Sequence, residues 1–239
     1  MSSLPLICLP FAGAGASFFK DWTRLSGKAL DVIPVQLPGR EELIEEEPYR
    51  DVSQAVEGIL PDVRIALDAR TAVGLFGHSM GAVLAYHLAH NLERLGITVS
   101  TLVVSGSPGP WTRRADRIAG LSDAEFLAGV RRYAGYFPPA LEDPEFRALM
   151  LPVLRADAEM HEGYVPASDE PLRAPILSVR GSDDDMVGAD QAAEWRRATH
   201  GTCQVAEMAG GHMYLTEAAG ELVRLIAATV GRLSEQGAA

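Results

Sequence analysis

The chain of 239 residues has little cysteine: Cys8 and Cys203 stand alone, with no Cys-x-x-Cys pair and no Cys/His cluster at ligand spacing. No metal site is therefore expected. Nor does any apolar run approach the ~20 residues that a membrane span needs. The opening Met-Ser-Ser-Leu-Pro lacks a basic stretch followed by an apolar one, so no secretory signal is expected, and a reduced, cytoplasmic setting is the reading. Positive charge is also scarce. Lys and Arg total 21 against 32 Asp and Glu, giving a net charge of −11 and a pI near 5.0. Non-specific binding to nucleic acid or to an anionic membrane is thereby disfavoured.

What remains is an ordinary globular composition, 47% hydrophobic and 22% charged. The length suits one domain with an insertion. Short apolar runs at 4–9, 32–37, 71–76, 99–105, 175–180 and 202–208 read as strands. They alternate with helix-period segments at 51–68 (where Pro61 is expected to kink or break the helix), 82–95, 189–199 and about 217–233, and the polar tail 234–239 reads as frayed. Alternation of this kind predicts βαβ units and a mainly parallel sheet, with ligands at the carboxyl ends of the strands.

The alternation stops between residues 111 and 170. There Ser122-Asp123-Ala124-Glu125 forms a capping box, and Asp143-Pro144 places a capping acid before a first-turn proline. A helical insertion at 111–170, between core segments 1–110 and 171–239, reads as a lid. Tyr133, Phe137 and Met150 are candidates to face an acyl pocket, together with Phe11 from the loop after the first strand.

The chemistry centres on Gly77-His78-Ser79-Met80-Gly81, between an apolar strand and a helical run. A serine held there with glycines two positions either side is the nucleophile-elbow pattern. A base and an orienting acid must follow in the order Ser, Asp, His. His212 follows a strand end and two glycines, and is the favoured base. The other histidines read as structural or solvated, with His78 packing beneath the elbow. Three aspartates compete for the acid. Asp184 is favoured by its spacing from Gly181 and Val187, with Asp183 and Asp185 as alternatives. The small-residue loop Pro10–Ala16 matches no phosphate-binding pattern. Its backbone N–H at Ala12 and that of Met80 are the expected oxyanion donors.

With these motifs placed, the sequence resembles the type II thioesterases that accompany polyketide and non-ribosomal peptide synthetases. The likeness runs through Leu9-Pro10-Phe11-Ala12-Gly13-Ala14-Gly15-Ala16, Leu37-Pro38-Gly39-Arg40-Glu41, the elbow, Leu151-Pro152-Val153-Leu154-Arg155-Ala156-Asp157, Gly181-x-x-Asp184 and Gly210-Gly211-His212. It implies an α/β-hydrolase fold and a stand-alone, monomeric editing enzyme. Such an enzyme removes stalled acyl groups from the phosphopantetheine arm of acyl or peptidyl carrier proteins. The substrate brings the phosphopantetheine, so the enzyme itself needs no cofactor. Carrier proteins are usually acidic, like this chain, so Arg113, Arg114, Arg117, Arg131 and Arg132 are candidate contacts. The residues alone also accommodate a general esterase or lipase, an acyltransferase, or a hydrolase-fold binding protein without catalysis.

Overall fold

The structure, a computed structural model, describes residues 3–112, 117–134, 139–166 and 168–236. Six strands pair in one wholly parallel sheet: β1 (Leu4–Leu9), β2 (Leu30–Pro34), β3 (Ala72–His78), β4 (Thr98–Ser105), β5 (Ile176–Gly181) and β6 (Cys203–Met208). Their spatial order is β2-β1-β3-β4-β5-β6, so the chain starts inside the sheet, steps to one edge and then crosses to the other. Near-continuous apolar runs suit strands covered on both faces. Helices α2 (Val52–Leu67) and α3 (Met80–Arg94) cover one face, while α1 (Lys20–Ser26) and α7 (Ala219–Gln236) pack on the other through Trp22, Leu222 and Ile226.

Between β4 and β5 lie α4 (Asp123–Ala134) and α5 (Pro144–Gly163). The capping box forms as the sequence suggests, with Glu125 Oε2 accepting from the Ser122 backbone N–H. Asp143 caps α5 by accepting from the Glu145 and Phe146 amides. Ile118, Phe126, Leu141 and Leu154 give this region a small apolar cluster of its own.

Four sequence expectations shift. The second strand is Leu30–Pro34 rather than 32–37, because Gln36 turns aside to accept from the Ala16 amide at 3.0 Å. Pro61 does not interrupt α2: it sits on the exposed side of a continuous helix, where its ring meets solvent. The segment 189–199 splits into α6 (Ala189–Ala193) and a 3₁₀ turn, Glu194–Ala198. The last helix continues to Gln236, into the stretch expected to fray.

The elbow rests on two glycines for a steric reason. A Cβ on Gly77 would lie 1.9 Å from the Gly81 carbonyl oxygen, and one on Gly81 would lie 2.5 Å from the Leu9 carbonyl oxygen. Both obstacles are backbone and cannot rotate away. Gly77→Ala is expected to destabilise the protein by about 3 kcal/mol or more, read as the fall in the denaturant midpoint.

Candidate active site

Ser79 occupies the turn between β3 and α3 with φ +53° and ψ −115°, a conformation rare for a residue with a side chain. Its amide donates to the Ser105 carbonyl at 2.8 Å, which ties the turn to β4. Met80 is the first residue of α3, and an amide there lacks an intrahelical acceptor. Negative charge developing beside it also meets the positive end of the helix dipole.

The loop after β5 carries the three competing aspartates, and burial separates them. Asp183 and Asp185 are exposed, whereas Asp184 is 4% exposed. Asp184 Oδ1 accepts from the amides of Met186 at 2.9 Å and Val187 at 3.1 Å, and its Oδ2 accepts from His212 Nδ1 at 2.9 Å. Burial pushes the Asp184 carboxyl upward. The hydrogen bond and charge of His212, with the two amides, outweigh it and hold the group below its ordinary value. Buried Arg180 braces the same loop from behind, donating to the carbonyls of Val187 and Asp184 at 2.8 and 3.2 Å and pairing with Glu207. An ionised acid on Nδ1 leaves His212 Nε2 as the nitrogen able to take a proton.

Beneath this pair lies a second aromatic layer. His78 is fully buried, its Nδ1 2.8 Å from Ser105 Oγ, which in turn lies 2.6 Å from the Tyr214 hydroxyl. Burial drives the Tyr214 hydroxyl well above its usual value; the Ser105 bond opposes this and the Asp184 charge adds to it, so Tyr214 stays protonated. The rings of His78 and His212 are 5.0 Å apart. Gly106, at φ +54°, fits between them. A Cβ there would lie 2.5 Å from His78 Cε1 and 3.2 Å from His212 Cε1.

Ser79 and His212 open into a common cavity. Phe11, Ala12, Met186 and Met213 line it from the core loops, and Ile118, Phe126, Val130, Leu154 and Ala158 from the insertion. Asp157, His161 and Glu162 supply its polar part. Phe11 holds its place by edge-on packing against Phe18, with ring centres 4.9 Å apart. Of the expected pocket residues, Met150 packs against the insertion's own apolar cluster rather than lining the cavity. Phe137 lies outside the described residues, as do Arg113 and Arg114, and Tyr133 is described only as part of α4. Arg117 donates to the Glu162 carbonyl at 3.0 Å, and Arg131 and Arg132 are exposed.

Among the described residues no group of three or more His, Cys, Asp or Glu could hold a metal, and no helix is long and apolar enough to cross a membrane. What stands at the carboxyl ends of the strands is a serine on a strained turn, an Asp–His pair beside it and an apolar chamber above. A model of the thioesterase domain matches residues 4–230. The chain belongs to the thioesterase family. It is 31% identical to gramicidin S biosynthesis protein GrsT of Aneurinibacillus migulanus, over 94% of this chain and 88% of that one. It is 33% identical to a probable cadicidin biosynthesis thioesterase of Streptomyces griseus over 89% of this chain, which spans 58% of that protein's length. Among solved structures, the type II thioesterase BorB from the borrelidin biosynthetic cluster superposes with a TM-score of 0.83 at 34% identity, covering 95% of this chain and 91% of that one. The fold of this thioesterase is accordingly that of the α/β-hydrolases.

The most informative residues that sequence reasoning missed are Arg40 and Asp157. Each belongs to a stretch of family likeness, Arg40 to 37–41 and Asp157 to 151–157, and the two meet in a buried two-pronged ion pair. Arg40 Nη1 and Nη2 each lie 2.8 Å from an Asp157 oxygen, and the two residues are 2% and 0% exposed. Asp157 Oδ2 also accepts from the Gly13 amide at 2.8 Å, and Arg40 Nη1 donates to the Ala14 carbonyl at 3.1 Å.

Proposed function

We propose that this thioesterase removes acyl groups from the phosphopantetheine arm of carrier proteins in a polyketide or non-ribosomal peptide pathway, acting as a stand-alone, monomeric editing enzyme through Ser79, His212 and Asp184. The observation that carries the chemistry is the buried Asp184–His212 pair sharing one apolar chamber with a serine at φ +53°. The relatives' roles in gramicidin S, cadicidin and borrelidin biosynthesis support the pathway.

In this reading His212 Nε2 takes the Ser79 proton as Oγ attacks the thioester carbonyl. The amides of Ala12 and Met80 hold the resulting oxyanion. Collapse breaks the carbon–sulfur bond, and the thiol leaves with the proton from His212. His212 then draws a proton from water as the water oxygen attacks the acyl-serine, and collapse breaks the acyl–Oγ bond while His212 returns the proton to Oγ. The products are the carboxylic acid, the free thiol arm and Ser79 in its original state. A thiolate leaves without much protonation, so the arrangement suits a thioester well.

The mostly hydrocarbon lining selects an apolar acyl group. Ala158→Phe, which fills part of the chamber from α5, is expected to lower kcat/KM for a medium-chain acyl substrate about tenfold or more and to spare acetyl, as seen in a chain-length series. The function itself is tested by comparing kcat/KM for an acyl-carrier protein with that for an oxygen ester of the same acyl group. A clear preference for the carrier thioester is expected. Equal or better turnover of the oxygen ester would make this a general esterase.

A further inference from the structure

The cavity wall contains a charge that the hydrolytic steps do not use. Asp157 belongs to α5, within the insertion, yet its bonds go to the core: to the Gly13 amide after β1 and to Arg40 after β2. Leu154, one turn earlier on the same face of α5, presses on the same loop, since a Cβ added to Gly13 would lie 2.7 Å from its Cδ2. Gly13 itself has φ +78°, and the Ala14 amide closes a turn onto the Phe11 carbonyl at 3.0 Å. Ala12 sits inside that turn. Its neighbour on one side is tied to α5, and two residues on, the Ala14 carbonyl is tied to Arg40.

We propose that Asp157, held by Arg40, is a positioning residue that sets the oxyanion-stabilising loop, so that the loop is competent only while α5 is seated on the core. This rests on the reading of Ala12 as an oxyanion donor. The physical reason is that a backbone donor must be fixed before charge develops, and a displacement of about 1 Å is enough to lose about 100-fold in rate. An ion pair that spans the insertion and two core loops holds the loop only in one arrangement. A buried, bidentate pair with every oxygen used is also costly to leave half made, which favours one seated state over a continuum.

The experiment uses the full chain with Asp157→Asn, and Arg40→Lys as the second variant, which keeps the charge but loses the fork. Active sites are counted by fluorophosphonate labelling carried to completion, so misfolded protein drops out of the rate. The expected result is a fall in kcat per labelled site of about 10- to 100-fold with KM within about twofold. Inhibition by a trifluoromethyl ketone, whose hemiketal oxygen needs the same amides, should weaken by the same factor as kcat/KM. Unchanged kcat per labelled site, or a fall in kcat with ketone affinity intact, would overturn the proposal. Where Asp157→Asn yields no folded protein, Arg40→Lys decides by the same two readouts. Wild-type enzyme that resists the ketone, or Ser79→Ala that keeps full activity, would instead defeat the underlying hydrolase reading.

Discussion

Ser79→Ala should fold as the parent does and turn over a small acyl thioester about 10⁴- to 10⁶-fold more slowly. The first half of that expectation is steric. Alanine keeps the Cβ and therefore the same strain at φ +53°, and the hydrogen bond that the residue 79 amide donates to the Ser105 carbonyl does not involve the side chain. The second half is chemical. With Ser79 as the proposed nucleophile, loss of Oγ prevents an acyl-enzyme, and only the proposed oxyanion donors and the chamber remain to assist direct attack by water. Thermal melting and kinetics on the same preparation check both halves. Ser79→Gly supplies a useful contrast: removing the Cβ relieves the strained backbone, so it should melt higher than Ser79→Ala while being equally inactive.

Asp184→Asn should lower kcat by about 10⁴-fold, whereas Asp183→Asn and Asp185→Asn should each stay within about threefold of wild type. Burial is the discriminator: Asp184 is enclosed and receives three hydrogen bonds, while its neighbours face solvent. An amide at 184 can present its NH₂ to His212 and so favour the wrong tautomer of the ring. The pH dependence has a definite sign. The Asp184 carboxyl is held below its ordinary value of 3.8, so its ionised form contributes stability above that value. The contribution is lost only as pH falls further, through the folded-state value. Acid unfolding followed by far-ultraviolet circular dichroism should therefore show a transition in the parent below pH 4 that is weakened in Asp184→Asn.

Much of this site could be read from the residues, and the parts that could not share a cause. Gly77, Ser79 and Gly81 announce the elbow because a local clash dictates glycine there. His212 and Asp184 follow from loop position after β6 and β5, which alternating periodicity locates well. The chamber wall is different. An apolar criterion points to Phe11, Tyr133, Phe137 and Met150; Phe11 does line the cavity, but the face that α5 turns to it is Leu154, Asp157, Ala158, His161 and Glu162. That face has helical spacing but mixed polarity, so an apolar criterion passes over it. Arg40 and Asp157 lie 117 positions apart, and nothing local in either stretch signals the other. Only the packing of α5 on the loops after β1 and β2 brings them together.

The central event is transfer of an acyl group from a carrier-bound thioester to water through Ser79. Intact-protein mass spectrometry of an acylated carrier, incubated with the enzyme and separately with Ser79→Ala, observes it directly. The carrier is expected to return to the mass of its free phosphopantetheine form with the enzyme and to keep its acyl group with the variant. A carrier that stays acylated in the presence of the enzyme, or one stripped equally well by Ser79→Ala, would contradict it.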